Sequence, residues 1–279
     1  MTAFVFLHGF AQTPASWDAV VQRLQAAGHR TYVLDLYESK GDLKLLGTEG
    51  ALEDAERGKG VEGDAGAEGA LASACDPLAS LGAVCDRVAA IVRLVAQADG
   101  APVLVGYSMG GRIAAETVVR HPDLPLAGLV LESAGLGPAD EAARVALAER
   151  NAWAQRLREE GVAAFMDWWE TLPLFASQQA LPSEAHAAVR TERISRDAGP
   201  LARSLEAWGA HHQAAEEVTL SVLAELTNRN VPVLYLAGTL DEKYSAVAAR
   251  VRAAGLPAML VPDAGHNVHL EVFTFSCRR

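Results

Sequence analysis

The segment Gly106-Tyr107-Ser108-Met109-Gly110-Gly111 places a serine between glycines in the pattern G-x-S-x-G. A serine hydroxyl is a poor nucleophile and a poor base until an imidazole takes its proton, and the imidazole needs a carboxylate to hold its other nitrogen. Two later segments supply those groups in the order acid, then histidine. Gly238-Thr239-Leu240-Asp241 carries Asp241 just past an apolar run, and Pro262-Asp263-Ala264-Gly265-His266 carries His266 in a loop. Glu242 and Asp263 are the rival carboxylates; Asp263 lies too near His266 in the loop to be preferred. His269 is a second, weaker base candidate that reads as packing against the loop, and His211 and His212 read as surface residues. A third segment, His8-Gly9-Phe10, follows the first apolar run. Its position predicts an oxyanion hole built from the backbone N–H groups of Phe10 and Met109. His8 itself either holds that loop or reaches a substrate.

These groups meet only if the elements before them run side by side. Short apolar runs at Ala3–Leu7, Thr31–Leu34, Pro102–Val105, Leu126–Leu131, Val231–Ala237 and Ala258–Val261 predict strands. Between them lie helical patterns. One begins at Pro14 with Thr13 as its cap and sets Trp17, Val20, Val21 and Leu24 on one face; another sets Leu81, Val84, Val88, Ile91, Val92 and Val95 in a stripe; a third runs Arg112–Arg120. Apolar strands alternating with helices imply a buried, mostly parallel sheet flanked by helices, an α/β fold. Residues 1–136 and 211–279 form this core. Residues 137–210 read as a helical cap inserted between two strands, and carry four of the five tryptophans. Such an insert covers the carboxyl edge of the sheet, where ligands bind. Residues 41–74, rich in Gly, Ala, Glu and Asp, read as an acidic surface excursion.

The charge balance is 35 acidic against 24 basic residues, a formal net charge of −11 in 279 residues. With no basic run or basic–aromatic patch, nucleic acid is not an expected partner. An acidic surface mildly repels anions, so an anionic substrate would need local arginines. The three cysteines form no paired spacing and fit a reducing compartment. Phe4–Leu7 reads as a strand rather than a leader, and no apolar run is long enough to span a bilayer, so a cytoplasmic, non-membrane protein is expected.

Taken in order, Leu7-His8-Gly9-Phe10, Gly106–Arg112, Leu131-Glu132-Ser133-Ala134, Trp169-Glu170-Thr171-Leu172-Pro173-Leu174-Phe175-Ala176-Ser177, Asp241-Glu242-Lys243-Tyr244 and Ala264-Gly265-His266-Asn267-Val268-His269 resemble the 2-succinyl-6-hydroxy-2,4-cyclohexadiene-1-carboxylate synthases. These are menaquinone-pathway members of the α/β-hydrolase superfamily. The elbow and the histidine loop identify the superfamily; the arginine after the elbow, the cap segment and Asp-x-Lys-Tyr point to this member. The resemblance implies an α/β-hydrolase fold and a carbon–oxygen lyase that eliminates pyruvate from a small polycarboxylate anion. It implies no metal and no organic cofactor. It also implies that Arg112, Arg193 and a cap arginine bind substrate. Arg144 is the preferred cap residue, with Arg150 close behind. Trp169 and Phe175 would line the pocket, with Tyr107 beside the serine and His8 at its mouth. A serine hydrolase, either a carboxylesterase or a carbon–carbon bond hydrolase, would use the same triad. The acidic stretch departs from the short loop of these relatives. So does the ending Val-Phe-Thr-Phe-Ser-Cys-Arg-Arg, which stands where they continue into a helix and is expected to leave apolar surface exposed.

Overall fold

The computed structural model describes residues 1–38, 76 and 79–276. The acidic stretch 41–74 lies outside the described residues. Six strands, β1 (Ala3–Leu7), β2 (Arg30–Leu34), β3 (Val103–Tyr107), β4 (Gly128–Glu132), β5 (Val233–Gly238) and β6 (Ala258–Val261), form one sheet in the order β2-β1-β3-β4-β5-β6. All its pairings are parallel. The chain steps from β1 outward to β2, then returns to the other side of β1 as β3. The order therefore reverses at the β1–β3 pair, and loops leaving the carboxyl ends of these two strands diverge to open a crevice.

Side chains alternate across the strands. Val5 and Leu7 face a large core with Leu34, Leu104, Leu129 and Tyr235, while Phe6, Val33 and Val105 face a smaller one closed by Trp17 and Val21. The first helix (α1, Asp18–Ala26) is preceded by a 3-10 turn, Pro14–Trp17, in which Thr13 accepts from the Ala15 N–H. The helix Leu81–Asp99 (α2) buries its whole predicted stripe, from Leu81 to Val95. Ser80 caps it by accepting from the Ala83 N–H.

The ends of β2, β3, β4 and β5 differ from the sequence reading by one or two residues, and those around the serine bear on the site. The strand before the serine begins at Val103, because Pro102 has no N–H to give the ladder. It runs on to Tyr107, which pairs with Glu132. The helix after the serine (α3, Met109–Arg120) starts at once, with no intervening turn.

Between β4 and β5 the chain is helical: α4 (Glu141–Ala148), α5 (Ala152–Trp169), a 3-10 segment Pro173–Ala180, α6 (Ser183–Ile194), α7 (Ala198–Ala207) and α8 (Glu216–Asn228). The α5 helix is broken at Gly161, whose φ of 79° is left-handed. Then follow α9 (Glu242–Ala253) and a last helix, α10 (Val268–Ser276). Among the described residues no helix is long and apolar enough to cross a membrane.

A close backbone approach in the core lies where α3 crosses β1. A Cβ on Gly110 would sit 2.6 Å from the His8 carbonyl oxygen and closer still to that of Leu7. Both obstacles are backbone and cannot rotate away. Gly110→Ala should therefore lower unfolding free energy by about 1–3 kcal/mol, the usual cost of overpacking. A urea titration showing an unchanged midpoint would mean that helix and strand can part without loss.

Candidate active site

Ser108 sits at the junction of β3 and α3 with φ 50° and ψ −108°. A residue with a side chain takes this conformation only when its surroundings enforce it, at about 1–3 kcal/mol. Here Ser108 N–H donates to the Glu132 carbonyl at 2.8 Å, and the Ser108 carbonyl accepts from Arg112 N–H at 3.0 Å. Gly106 permits the bend, since a Cβ there would lie 2.5 Å from the Gly110 carbonyl oxygen. The result holds the hydroxyl above the carboxyl edge of the sheet.

His266 Nε2 lies 3.0 Å from Ser108 Oγ, and its Nδ1 lies 2.7 Å from Asp241 Oδ2. Asp241 caps α9, accepting from Tyr244 N–H through its other oxygen at 3.1 Å. One carboxylate thus fixes both a helix end and the imidazole. Glu242 and Asp263 are exposed and take no part. His266 and Asp241 are both buried, at 1% and 5% exposure, so water does not compete for the bond between them. Burial lowers the His266 pKa from its ordinary value, with Asp241 working in the opposite direction.

The Gly9–Gln12 turn is closed by the Gln12 side chain, which accepts from Gly9 N–H at 2.9 Å. Ala11, at φ 58°, gives its N–H to the Tyr37 hydroxyl at 3.1 Å. Phe10 and Met109 N–H have no acceptor among the described residues. Both residues line the same cavity as Ser108 and His266.

That cavity, of about 270 Å³, has an aromatic wall and a cationic one. Trp169 and Phe175 come from the cap. Phe175 meets the His266 ring edge-on at 5.8 Å, and Trp169 packs on Phe10 at 5.0 Å. Tyr107 lies beneath, 5.3 Å from the His266 ring, with its phenol pushed well up by burial. Arg112, Arg150, Arg193 and Lys243 line the remainder. Arg112 donates to the Trp208 carbonyl at 2.8 Å and has no carboxylate partner among the described residues. Partial burial lowers its pKa, an effect that Arg150 reinforces. Arg150 stacks on Trp153 at 5.3 Å and Lys243 on Tyr244 at 4.9 Å, likewise without acidic partners among the described residues. Arg193 differs. It is bonded to Glu170 at 3.0 Å and Gln178 at 2.9 Å, with its guanidinium over Phe175.

Two sequence expectations need correction. Arg144 is not in the cavity: it donates to the carbonyls of Gln213 (3.0 Å) and His211 and pairs with Glu141. Arg150, two helical turns further on, is the cap arginine that lines it. Nor does His8 face the cavity. It is fully buried, its Nδ1–H donating to the Gly9 carbonyl at 2.8 Å and its Nε2 accepting from Leu36 N–H at 3.1 Å. Nε2 ties the end of β1 to the segment after β2 and Nδ1 is taken up within its own loop, so nothing remains for a ligand.

The bracing of the histidine loop was not read from sequence. Glu271 accepts from Gly265 N–H at 2.6 Å, Asn267 N–H at 3.2 Å and the cap hydroxyl of Ser177 at 3.2 Å. Burial pushes its carboxyl up while these donors oppose the rise. A glutamate within the apolar run Val268–Phe273 was the available signal. Glu132 likewise holds His269, at 2.8 Å from its Nδ1, against the face of Trp17. His269 is thus committed to structure. Gln12 and Lys243 also line the cavity without having been assigned a role. Among the described residues no three His, Cys, Asp or Glu side chains are grouped to hold a metal ion.

The Alpha/beta hydrolase family matches residues 4–272. The chain belongs to that family. Curated relatives include the 2-succinyl-6-hydroxy-2,4-cyclohexadiene-1-carboxylate synthase of Serratia proteamaculans (strain 568), 36% identical over 168 residues, covering 60% of this chain and 61% of that protein. The synthase of the same name from Enterobacter sp. (strain 638) is 34% identical over 169 residues, 60% of each chain. The chain thus spans about 60% of the length of the curated relatives it matches. Among solved structures, MenH from S. aureus superposes with a TM-score of 0.74 at 24% identity, covering 99% of this chain and 92% of that one. A thermophilic esterase from Thermogutta terrifontis superposes at 0.65 and 22% identity, covering 100% and 88%. At these identities the likeness to both structures is one of fold, which in this family carries more than one chemistry.

An imidazole accepts the serine proton only while neutral, and its lowered pKa keeps it neutral until the pH falls through that value. Labelling of Ser108 by a fluorophosphonate should therefore rise with pH to a plateau, with a midpoint below 6.5. Asp241→Asn removes the partner that raises the pKa. Its midpoint should shift lower still, and its plateau rate should drop by about 10³–10⁴-fold. A wild-type midpoint above 6.5 would contradict the burial argument.

Proposed function

We propose that the protein eliminates pyruvate from 2-succinyl-5-enolpyruvyl-6-hydroxy-3-cyclohexene-1-carboxylate, yielding 2-succinyl-6-hydroxy-2,4-cyclohexadiene-1-carboxylate, as a carbon–oxygen lyase without metal or organic cofactor. The observation that carries this reading is the unpaired cationic wall. A guanidinium partly withdrawn from water without a counter-ion is costly. Arg112 lies in the same cavity as Ser108, and Arg150 and Lys243 join it without acidic partners among the described residues. A ligand with several carboxylates would supply the missing charge, and arginine favours the planar, two-point contact a carboxylate offers. An acidic protein with this local cationic lining is adapted to a small polycarboxylate rather than to nucleic acid. The names of the curated relatives support the same assignment.

The chemistry uses the triad as a base. His266 takes the Ser108 proton, with Asp241 holding its tautomer. The serine oxygen takes the proton on the carbon beside the succinyl ketone, and the electron pair moves onto the ketone oxygen. The N–H groups of Phe10 and Met109 are the donors for that enolate oxygen. The pair then returns to form a C2=C3 double bond, the ring's C3=C4 pair shifts to C4=C5, and the C5–oxygen bond to enolpyruvate breaks. Enolpyruvate takes up a proton and becomes pyruvate. The aromatic wall of Trp169, Phe175 and Tyr107 keeps bulk water from the enolate. The soluble, cytoplasmic setting expected from the sequence suits such a substrate.

A serine hydrolase would use the same triad and oxyanion donors on an ester, so turnover must separate the two. Pyruvate release from the enolpyruvyl substrate is expected, and Ser108→Ala should reduce it by about 10⁴-fold. Arg112→Ala should lower kcat/KM by about 10–100-fold for that substrate, the cost of one charge-assisted hydrogen bond, and by far less for a neutral aryl ester. Rapid ester hydrolysis with no pyruvate formed would replace the lyase with a hydrolase.

A further inference from the structure

The cap does more than roof the cavity: it grips the loop that carries Phe10. Arg196, in the turn joining α6 to α7, donates from Nε (2.9 Å) and Nη2 (2.6 Å) to the Gln12 carbonyl, while its Nη1 lies 2.8 Å from Asp35 Oδ2. Its guanidinium also lies over the Tyr37 ring at 5.2 Å. One turn earlier, Glu192 accepts from both the N–H (2.6 Å) and the hydroxyl (2.8 Å) of Thr13. These contacts fall on the groups that set the loop. Gln12 closes the turn onto Gly9, Tyr37 holds the left-handed Ala11, and Asp35 accepts from Tyr37 N–H at 3.0 Å beside His8. Burial alone would raise the Asp35 carboxyl, but its partners, the Arg196 guanidinium among them, outweigh it and hold it well below the carboxylate range, so the ion pair persists across working pH.

We propose that Arg196, with Glu192, is a positioning residue that ties the oxyanion loop to the cap, so that the Phe10 N–H is aimed only while the cap is seated. The proposal rests on the assignment of Phe10 as an oxyanion donor. Five hydrogen-bonding or ionic links to core atoms, two from Glu192 and three from Arg196, would be excessive for a lid that merely covers solvent. Arg196 is 15% exposed at its side chain and Asp35 9%, so both are shielded from competing water. The same cap presents Arg150, Trp169 and Phe175 to the substrate. Ligand contacts at the far end of the cavity and donor geometry at the reacting end therefore share one rigid connection.

Saturation kinetics of Ser108 with a small neutral fluorophosphonate test this directly, since the phosphoryl oxygen uses the oxyanion donors without needing the cationic wall. The hydroxyl oxygen bonds to phosphorus, fluoride leaves and His266 keeps the proton. Arg196→Gln is expected to lower the maximal inactivation rate by about 10–100-fold, the scale of a misplaced or lost donor, with the half-saturating concentration changed less than about twofold. Arg196→Lys, which keeps one donor on the Gln12 carbonyl, should recover part of the loss. A folded Arg196→Gln protein reacting at the wild-type maximal rate would overturn the proposal. If that variant does not fold, Glu192→Ala decides: a slowed maximal rate supports the tie, and an unchanged one overturns it. Wild-type protein that labels quickly yet releases no pyruvate would remove the proposed substrate while leaving this comparison valid. Wild-type protein that fails to label would remove the triad reading itself.

Discussion

The structure depends on the bend at Ser108, because a strained residue survives only where its neighbours have no other arrangement. Three independent restraints meet there. The ladder to Glu132 fixes the end of β3, the first turn of α3 takes the serine carbonyl, and the glycines let helix and strand backbones touch. None of these uses the hydroxyl. The side chain that could do chemistry is therefore left free of structural duty, and the helix N-terminus below it favours negative charge at that spot. Parallel topology does the rest. Strands that all run one way deliver their following loops to one edge, so Phe10, Ser108, Asp241 and His266 converge although 256 positions separate the first from the last.

The same logic separates the polar groups that brace the site from those left open. His8, His269, Glu132 and Glu271 are buried, and each is spent on backbone or on one another. Asp241 does two tasks at once, capping a helix and holding an imidazole. Arg193 carries a counter-ion in Glu170 and is balanced before any ligand arrives. Arg112 is not, and it sits partly buried beside Arg150, which disfavours its charge. An anion entering there relieves an existing electrostatic cost as well as forming new bonds, which is a strong basis for selecting charge over shape.

Much of this was legible in the residue string because the sheet is regular. Buried parallel strands are continuous apolar runs, and the residues that follow them are where loops must deliver function, so motif and position together could bring Ser108, Asp241 and His266 to one place, with Phe10 and Met109 at the same edge. The stripe in α2 was visible for the same reason. Legibility failed where a partner is remote in sequence. Nothing near His8 announces that Leu36 and Gly9 consume its nitrogens, and nothing near Arg144 shows that the carbonyls of Gln213 and His211 draw it away from the cavity. The choice between Arg144 and Arg150 turns on how a helical insert is set over the sheet, a tertiary fact that periodicity does not contain. Pro102 and Pro232 were strand-end signals present and not used, since neither has an N–H to give the ladder.

The cap therefore enters the argument as part of the catalytic frame rather than as a cover. Ser177 reaches Glu271, which grips the histidine loop, while Arg196 and Glu192 grip the oxyanion loop. These two attachments lie on opposite sides of the serine and join the cap to the two loops that complete its surroundings. A motion that lifted the helical insert would loosen the base and the oxyanion donor together, leaving only the bend of β3 into α3 in place. On the proposed reading, such an arrangement would link exclusion of water to assembly of the reacting groups, the condition an enolate needs.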